Sequence, residues 1–519
     1  MAQRIESRET RTDASVETEL GVFPVTPKWK TIDLTSYSDA SLQYDAQTRS
    51  VMTSGRGQKK GTQTDMTATF GYNIDNTGDN VLAQIASFLF NVPKERATRS
   101  ILEGSPKVLL VTNAVVSVTA TTIVMTSAPT FAAGDLLVLS DGVNDRSLQV
   151  VSGVAANTIT VAPAEVGGAA LIPQVPMRGD TRVIKVGVRI ATATKLTGAV
   201  DHVTLELGAA AITSLGMSVG EWLFVGGDSV GKRFANTEPF YARVSAISPT
   251  TLTLDATTRP VPLNAEDAAS LDVYIGSYVH DGVDTLSFTH SRYLGKDDAD
   301  KHMREYYTGS IASEMALNME AKSFVTCDFT YTCLGGDMVT MDDAAHTAVY
   351  GNTVPARDGD PISTVTDVYR QRLVVPKLGV VNPAAIHAFV KTLTVNVNNN
   401  LTLDDAQGVL GAIGASAGDF TATGSMQVYL VSAKIREAIR CNCTAALDII
   451  CARKNAGYVL DIPALTLGNG SINVEKGQSV TIDLEQSAFE STRGYTVSYT
   501  SFHYIPDVAM PEGSTGCDC

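Results

Sequence analysis

Residues 67–72, Thr-Ala-Thr-Phe-Gly-Tyr, alternate small polar side chains with apolar or aromatic ones. The same alternation recurs in Asp-Thr-Leu-Ser-Phe-Thr (284–289) and in Tyr-Thr-Val-Ser-Tyr-Thr (495–500). A period of two, with β-branched and aromatic residues, is typical of strands that are buried on one face. Turn signals, such as Asn-Gly at 469–470 and Gly-Gly at 335–336, separate these runs. The sequence therefore predicts a protein that is built mainly from β-strands.

The segment from Thr77 to Leu89 departs from this alternation. Its polar start can cap a helix, and its apolar residues at 81, 82, 85, 88 and 89 fall on one helical face. A shorter candidate helix runs from Ser432 to Ile439. We therefore expect a mainly β fold in which a few helices pack on the sheets.

The composition favours self-association over binding to nucleic acid. The chain has 519 residues, enough for about three or four domains. Charged residues make up only 18% of the chain, whereas about 25% is usual for a soluble domain. A large part of the surface is therefore expected to be covered by other copies. The net charge of −15 disfavours tight nucleic-acid binding, because an acidic chain releases no counterions from phosphates.

The compartment is predicted from three further features. Residues 1–19 mix Arg, Glu, Asp, Ser and Thr without an apolar core, so no secretion signal is expected. No run of 18 apolar residues occurs, so no membrane span is expected. The seven cysteines are irregularly spaced and odd in number, which indicates reduced thiols and assembly in the cytosol.

Residues 106–280 contain an internal repeat. Gly134-Asp-Leu-Leu-Val-Leu is echoed by Gly220-Glu-Trp-Leu-Phe-Val. Val151-Ser-Gly-Val and Thr158-Ile-Thr-Val are echoed by Val244-Ser-Ala-Ile and Thr251-Leu-Thr-Leu. We interpret these segments as two small β-modules in tandem.

A second repeat spans the rest of the chain. Asp45-Ala-Gln recurs as Asp405-Ala-Gln, and Met66 recurs as Met426 at the same offset. Downstream, Val325-Thr-Cys-Asp-Phe matches Val480-Thr-Ile-Asp-Leu at a smaller offset. The smaller offset is expected if the two modules interrupt only the first copy.

The flanking segments resemble the tail tube proteins of siphophages, the bacteriophages with long non-contractile tails. The N-terminal part of the resemblance rests on Gly21-Val-Phe-Pro, the loop from Arg49 to Lys60, the strand from Met66 to Tyr72 and the helix that follows. The C-terminal part rests on residues 395–400, 423–429, 464–467 and 480–484. It covers roughly residues 20–105 and 281–505 and contains no invariant motif.

The resemblance implies a β-sandwich or barrel with a flanking helix, whose inner sheets join between subunits into a tube. With the repeats, it predicts a duplicated tube-type fold with two inserted modules placed as outward decorations. The expected division comprises a polar arm (1–20), a discontinuous first tube-type domain (21–105 and 281–345), module 1 (106–175), module 2 (176–280), a second tube-type domain (346–510) and a tail (511–519).

Two tube-type domains in one chain would let three chains supply the six that a ring needs. We therefore expect a trimeric ring with pseudo-sixfold symmetry rather than a ring of six chains. Closing the sheet through neighbours removes the exposed strand edges that monomers normally hide.

The resemblance also implies that the loop from Asp45 to Thr62, and its counterpart near Asp405 to Thr423, reaches the adjacent ring. The first loop is basic in an acidic chain, which suits contact with an acidic surface of the next ring. A solvated hairpin or a contact with DNA in the lumen are the alternatives. The residues predicted for inter-ring contact are Arg49, Arg56, Lys59, Lys60, Asp405 and Asp419.

Motifs that could carry chemistry are incomplete. Gly226 to Lys232 has the spacing of a phosphate loop, but Arg233 replaces the Ser or Thr that binds magnesium, so we interpret it as a hairpin loop. Cys441-Asn-Cys443 and Cys517-Asp-Cys519 lack the spacing of a zinc site, and the first pair is interpreted as part of a strand.

The acidic runs 297–300 and 342–343, near His302 and His346, are interpreted as solvated loops. No Ser-His-Asp order or metalloprotease motif is present. The sequence therefore predicts no catalytic residue, no metal and no cofactor.

The expected function is structural: a virion tail protein, assembled in the host cytoplasm, whose stacked rings conduct the genome to the host. Expected partners are further copies of the chain, the tape-measure protein, the tail terminator and distal tail or baseplate proteins. Double-stranded DNA would pass through the lumen without specific binding. The alternatives are a surface or secreted β-module protein (an adhesin or array protein), or another virion component such as a tail terminator or decoration protein.

Overall fold

A computed structural model gives the structure of the chain. It describes residues 9–48, 60–78, 80–96, 114–165, 168–175, 181–192, 194–198, 202–255, 265–356, 359–376, 384–387, 389–453 and 456–511. Strands take up 53% of the chain and helices 8%, so the prediction of a mainly β protein is confirmed.

The strands are numbered in chain order. The first four are β1 (Arg11–Val16), β2 (Lys30–Ile32), β3 (Ser36–Thr48) and β4 (Gly61–Asp75). The next thirteen are β5 (Val115–Val118), β6 (Thr122–Met125), β7 (Asp135–Ser140), β8 (Gln149–Ala155), β9 (Thr158–Pro163), β10 (Arg182–Ile190), β11 (Thr194–Gly198), β12 (His202–Glu206), β13 (Trp222–Val225), β14 (Phe240–Ile247), β15 (Thr251–Asp255), β16 (Glu266–Ala268) and β17 (Leu271–Ile275). The remaining strands are β18 (Ser277–His280), β19 (Ser287–Lys296), β20 (His302–Glu320), β21 (Thr326–Cys333), β22 (Gly335–Met341), β23 (Val368–Val374), β24 (Val390–Asn398), β25 (Thr402–Asp405), β26 (Ala412–Ser416), β27 (Thr421–Tyr429), β28 (Ala445–Arg453), β29 (Ala456–Asn473), β30 (Thr481–Ala488) and β31 (Ser498–Phe502).

Four α-helices lie in the described part of the chain. They are α1 (Leu82–Phe88), α2 (Ala209–Leu215), α3 (Asp343–Tyr350) and α4 (Lys434–Arg440). The helix predicted after Thr77 corresponds to α1, and all five of its predicted apolar positions are buried. The helix predicted from Ser432 to Ile439 corresponds to α4, shifted by a residue or two.

One sheet of sixteen strands contains the same neighbour order twice. β1, β19, β20, β21, β4 and β3 are hydrogen-bonded in that order. β23, β28, β29, β30, β27 and β24 are hydrogen-bonded in the same order. We call the first set repeat A and the second set repeat B. An antiparallel pair between β20 and β24 joins the two repeats into one sheet.

A carboxylate held by two amides occurs once in each repeat. In repeat A, Asp328 accepts hydrogen bonds from Asn73 (2.5 Å) and Asn318 (2.8 Å). In repeat B, Asp483 accepts hydrogen bonds from Gln427 (2.7 Å) and Asn473 (2.7 Å). These contacts fix which residues correspond between the repeats.

The sequence-based alignment needs one correction. Because Asn73 corresponds to Gln427 in this arrangement, Met426 corresponds to Tyr72 and not to Met66. The short Asp-Ala-Gln match therefore aligned the two hairpins in a different register. The match between Val325–Phe329 and Val480–Leu484 agrees with the structure, because Asp328 and Asp483 occupy equivalent places.

The helices α1 and α4 occupy equivalent places too. α1 packs on the long strand β20, and α4 packs on the long strand β29. Each helix is followed by a residue in the left-handed conformation, Phe90 and Asn442, both with φ of 48°. The two repeats share one hydrophobic core, which contains, for example, Phe70 and Phe329 of repeat A and Met426 and Leu484 of repeat B.

The second sheet consists of the thirteen strands β5 to β17. β10, β7, β8, β9, β6 and β5 are neighbours in that order, and β17, β13, β14, β15, β12 and β11 repeat it. The glycines before β7 and β13, Gly134 and Gly220, have φ of 93° and 94°. A side chain would be strained at this positive φ, so both positions favour glycine. β10 pairs with β17, so the two segments form one continuous sheet.

This second sheet packs on repeat B. Its Trp222 and Tyr241 lie in one buried cluster with Ile450 and Val459 of repeat B and with Phe502 of β31. The strand β28 is buried on both faces, since its alternate residues point into the main core and into this cluster.

A buried ion pair crosses the same interface. The Arg243 guanidinium lies 2.7 Å from Asp461 and 2.6 Å from Asp255. Both Arg243 and Asp461 are almost fully buried. The neighbouring carboxylates raise the pKa of Arg243 well above its usual value despite burial, so the side chain is charged and requires its partners.

Removing one member of this pair should destabilise the protein strongly. Asp461→Ala leaves a buried guanidinium short of a counter-charge, for which a loss of about 3–5 kcal/mol in the free energy of unfolding is expected. Urea unfolding monitored by tryptophan fluorescence measures the loss. The matched control is Asp360→Ala, which removes the exposed partner of Arg453 and should cost at most about 1 kcal/mol. Equal losses in the two variants would contradict a structural role for the buried pair.

Candidate self-association surface

Eight strand segments form a continuous arc with one polar face. Their order is β3, β4, β21, the second half of β20, β24, β27, β30 and the second half of β29. Along β4 the residues Ala68, Phe70, Tyr72 and Ile74 are buried in the core, so the residues between them point to the opposite face. In each of the eight segments, that opposite face carries polar side chains, which are drawn from Thr, Ser, Asn, Gln, Asp and Glu.

The charge of this face is almost entirely negative. In the described residues of the eight segments, Lys391, at the bulge near the start of β24, is the sole basic residue. The acidic residues are Asp39, Asp45, Asp65, Asp75, Glu314, Glu320, Asp328, Asp483 and Glu485. Several of these carboxylates accept hydrogen bonds from neutral amides or hydroxyls, as Glu314 does from Asn398 and Asp39 from Thr69. The hydrogen bonds satisfy the oxygen atoms and leave the negative charge in place.

The two ends of the arc are strand edges. Among the described residues, β3 pairs with β4 on one side only. The second half of β29 pairs with β30 on one side only. Unpaired edges of this length favour association with further strands.

The hairpin β25–β26 extends from repeat B and lies against repeat A. At its tip, a side chain on Gly411 would come within about 3 Å of Met66 and Leu334. Val409, Leu410 and Ile413 beside it are 51%, 43% and 56% exposed. The tip therefore presents apolar surface that the described residues do not cover.

The residues predicted for inter-ring contact are placed as follows. Arg49, Arg56 and Lys59 lie outside the described residues. Lys60 is exposed immediately before β4, and Asp405 is exposed at the end of β25. Asp419 is exposed before β27, and its backbone carbonyl accepts a hydrogen bond from the Asn400 amide (2.7 Å). Their role in contact between rings stays a prediction.

The acidic runs near His302 and His346 form a structural cluster. The prediction that Asp342 and Asp343 lie in a loop is wrong, because Asp343 begins α3 and Asp342 caps it by accepting a hydrogen bond from the Ala345 backbone (2.8 Å). Both ring nitrogens of His302 are engaged, one by Asp343 (2.8 Å) and one by the Tyr293 hydroxyl (3.0 Å). This histidine therefore offers no free nitrogen for acid–base chemistry.

The second histidine of the cluster is neutral at pH 7. Burial and the Arg304 guanidinium lower the pKa of His346 to about 4. Arg304 is itself fully buried and ion-paired with Asp13 of β1 at 2.8 Å. The cluster thus fastens β1 and α3 to the long strand β20.

The remaining motifs have structural surroundings. Gly226 to Lys232 connects the antiparallel strands β13 and β14, and Lys232 donates a hydrogen bond to Ser270 (3.1 Å). Cys441 is exposed at the end of α4, so the interpretation of Cys441–Cys443 as part of a strand was wrong. Cys517 and Cys519 lie outside the described residues.

Two searches of the described residues bear on other classes of site. No cluster of three or more His, Cys, Asp or Glu side chains is placed to hold a metal ion there. No helix in that part of the chain is long and apolar enough to cross a membrane.

Sequence reasoning missed the residues that define the association surface. The edges β3 and β29 depend on which strands pair, and strand alternation alone does not reveal pairing. The carboxylate–amide contacts had a signal, because Asp328 and Asp483 stand at the same place in the matching segments 325–329 and 480–484.

Comparison with known proteins identifies the family. No curated protein sequence matches the chain significantly. A family model described as phage tail tube protein matches residues 14–488, from within β1 to the end of β30. This match covers both repeats, apart from the first residues of β1, and the second sheet that interrupts repeat A in sequence. The chain therefore belongs to the phage tail tube protein family.

Proposed function

We propose that this protein builds the tube of a long non-contractile phage tail, through which the genome passes to the host. The observation that carries the proposal is the eight-stranded arc, with a polar face and an unpaired strand at each end. Joining such arcs edge to edge pairs the free strands and encloses a channel lined by the polar faces. The tape-measure protein, the tail terminator and distal tail or baseplate proteins are the further partners of such a tube.

We also propose that repeats A and B are two tandem tube-type domains. Their equal strand order, their equivalent carboxylate–amide contacts and their equivalent helices support this division. On this basis the first domain comprises residues 21–105 and 281–345 together with β1, a strand that lies within the segment expected as a polar arm, and the second comprises residues 346–510. The two inserted modules were expected at 106–175 and 176–280, although the strand order groups β10 with β5 to β9. Both lie on the outside of the tube in this arrangement, since they pack on the side of β28 away from the shared core.

A ring of three chains then contains six tube-type domains. The link between β20 and β24 already joins two domains inside each chain. Three chains thus provide three internal links and three links between chains, which alternate around the ring.

The purified protein, or tails isolated from virions, should form hollow tubes whose cross-sections contain three chains. Electron microscopy with image averaging distinguishes this arrangement from a ring of six chains, because the decorations from the second sheet would appear three times or six times. Native mass measurement of isolated rings provides a second count. Six chains per ring would contradict the pseudo-sixfold arrangement while leaving the tube itself intact.

The polar face would line the channel and repel the phosphates of DNA, so that DNA slides without specific binding. Replacing Asp65, Glu314 and Glu485 by Lys should slow genome ejection from variant virions, with a weaker effect at high salt because charges are screened. Ejection triggered in vitro and followed by a DNA dye measures the rate. The control variant carries Glu206→Lys and Asp267→Lys, two exposed changes on the second sheet. Equal ejection rates in both variants would argue against an acidic lumen.

Contact between rings is proposed for the loop that bears Arg49, Arg56, Lys59 and Lys60, with Asp405 and Asp419 in the corresponding region of repeat B. A basic loop and an acidic partner surface steer rings into register. Deleting residues 50–60 should leave rings or folded chains that do not stack into tubes, as seen by electron microscopy. The control deletes residues 258–261, within the connection between β15 and β16, and should keep normal stacking. Normal tubes from the 50–60 deletion would refute the role of this loop.

A further inference from the structure

The long strands β20 and β29 differ in one respect. The second half of β20 is flanked by β21 on one side and by β24 on the other. The second half of β29 is flanked by β30, and the described residues provide no strand on its other side. The position beside β29 that is equivalent to the position of β24 beside β20 therefore holds no described strand.

Apolar side chains at the end of β29 are more exposed than their counterparts in β20, because no described strand lies beside that part of β29. Because Asn318 and Asn473 make the same contact with Asp328 and Asp483, Leu317 corresponds to Ile472, and Met319 corresponds to Val474. Leu317 and Met319 are 2% and 4% exposed, whereas Ile472 and Val474 are 36% and 73% exposed. Ile472 at the end of β29 and Val474 directly after it are positioned for a sheet that continues beyond this edge.

The strand that fits this place is β3, which corresponds to β24. Ala40 pairs with Phe70, and Val395 pairs with Gly424 at the equivalent point of repeat B. Val395 and Val397 are 1% exposed beside β20. Their counterparts Ala40 and Leu42 are only half-buried, because the outer edge of β3 has no described partner.

The chain cannot bring these two edges together in the observed fold. β3 and β29 lie at opposite ends of the eight-stranded arc, with six strand segments between them. A second copy of the chain supplies both the missing strand and the missing edge. The β3 strand of that copy corresponds to β24, and the open side of β29 corresponds to the side of β20 that β24 occupies.

We infer that β3 of one chain pairs antiparallel with the second half of β29 of its neighbour, in the register that β24 and β20 adopt inside the chain. This inference rests on the proposed function, because it requires chains that form rings. In the internal junction Val395 lies opposite Leu317, and Asn396 lies opposite Ala316. In the junction between chains, Ala40 accordingly lies opposite Ile472, and Ser41 lies opposite Ser471.

Paired cysteines test this register. Directly opposite residues in antiparallel strands have Cβ atoms about 4.5–5.5 Å apart, close to the spacing of a disulfide, whereas diagonal neighbours are about 7–8 Å apart. The variant Ser41→Cys with Ser471→Cys is made in a background in which Cys441, Cys517 and Cys519 are replaced by Ser. Mild oxidation of assembled tubes should convert most chains into covalent oligomers on non-reducing gels, ending at the number of chains in a ring.

Three controls separate register from mere proximity. Asp39→Cys with Ser471→Cys shifts the pair by two residues on the same face and should cross-link at least tenfold less. Ala316→Cys with Asn396→Cys marks the internal junction and should give a disulfide within one chain. Co-assembly of chains carrying only Ser41→Cys with chains carrying only Ser471→Cys should give covalent dimers, which proves that the bond joins two chains.

The outcomes distinguish the register from the function. Tubes that form but cross-link better through the shifted pair, or through neither pair, overturn the inferred register and leave the tube function standing. A disulfide at 41 and 471 inside a single chain overturns it as well. A wild-type chain that forms neither rings nor tubes in virions contradicts the proposed function itself.

Discussion

Two long strands, β20 and β29, hold the fold together because each changes its partners along its length. The first half of β20 pairs with β19 and β22, and its second half pairs with β21 and β24. The first half of β29 pairs with β28 and β31, and its second half pairs with β30. A register shift between Ala312 and Glu314, where β20 bulges against β21, marks the change. Bulges bend a strand, so one strand can serve two differently oriented groups of neighbours.

The polar face of the eight-stranded arc combines carboxylates that are hydrogen-bonded to neutral groups with charge that is not neutralised. Asp328 and Asp483 are each held by two side-chain amides. Amide donors satisfy carboxylate oxygens without cancelling their charge, unlike Lys or Arg. Such a face repels other negatively charged groups.

The second sheet links parts of the chain that are distant in sequence. It enters between α1 and β18, both next to repeat A in sequence, but it packs on β28 and β29 of repeat B and on β31, which pairs with β29. The buried pair of Arg243 with Asp461 is costly to desolvate, so its net contribution to stability is smaller than the loss caused by removing one partner. The insert thus connects the two repeats from outside, while the pair of β20 with β24 connects them from within.

The sequence by itself determined the β class, the helix at Leu82–Phe88, the two levels of repetition and the acidic character. These properties depend on local alternation, on helical periodicity and on composition, which neighbouring residues carry directly. The match of segments 325–329 and 480–484 even located the carboxylates that both repeats hold by amides. Sequence patterns also led to three wrong predictions. They aligned Met426 with Met66, they placed Asp342 and Asp343 in a loop, and they placed Cys441 in a strand. Only the tertiary structure decided which strands are neighbours, which face is polar and which edges stay open. Strand pairing joins residues hundreds of positions apart, as Asn73 and Asp328 are joined, and no local pattern encodes the choice of partner.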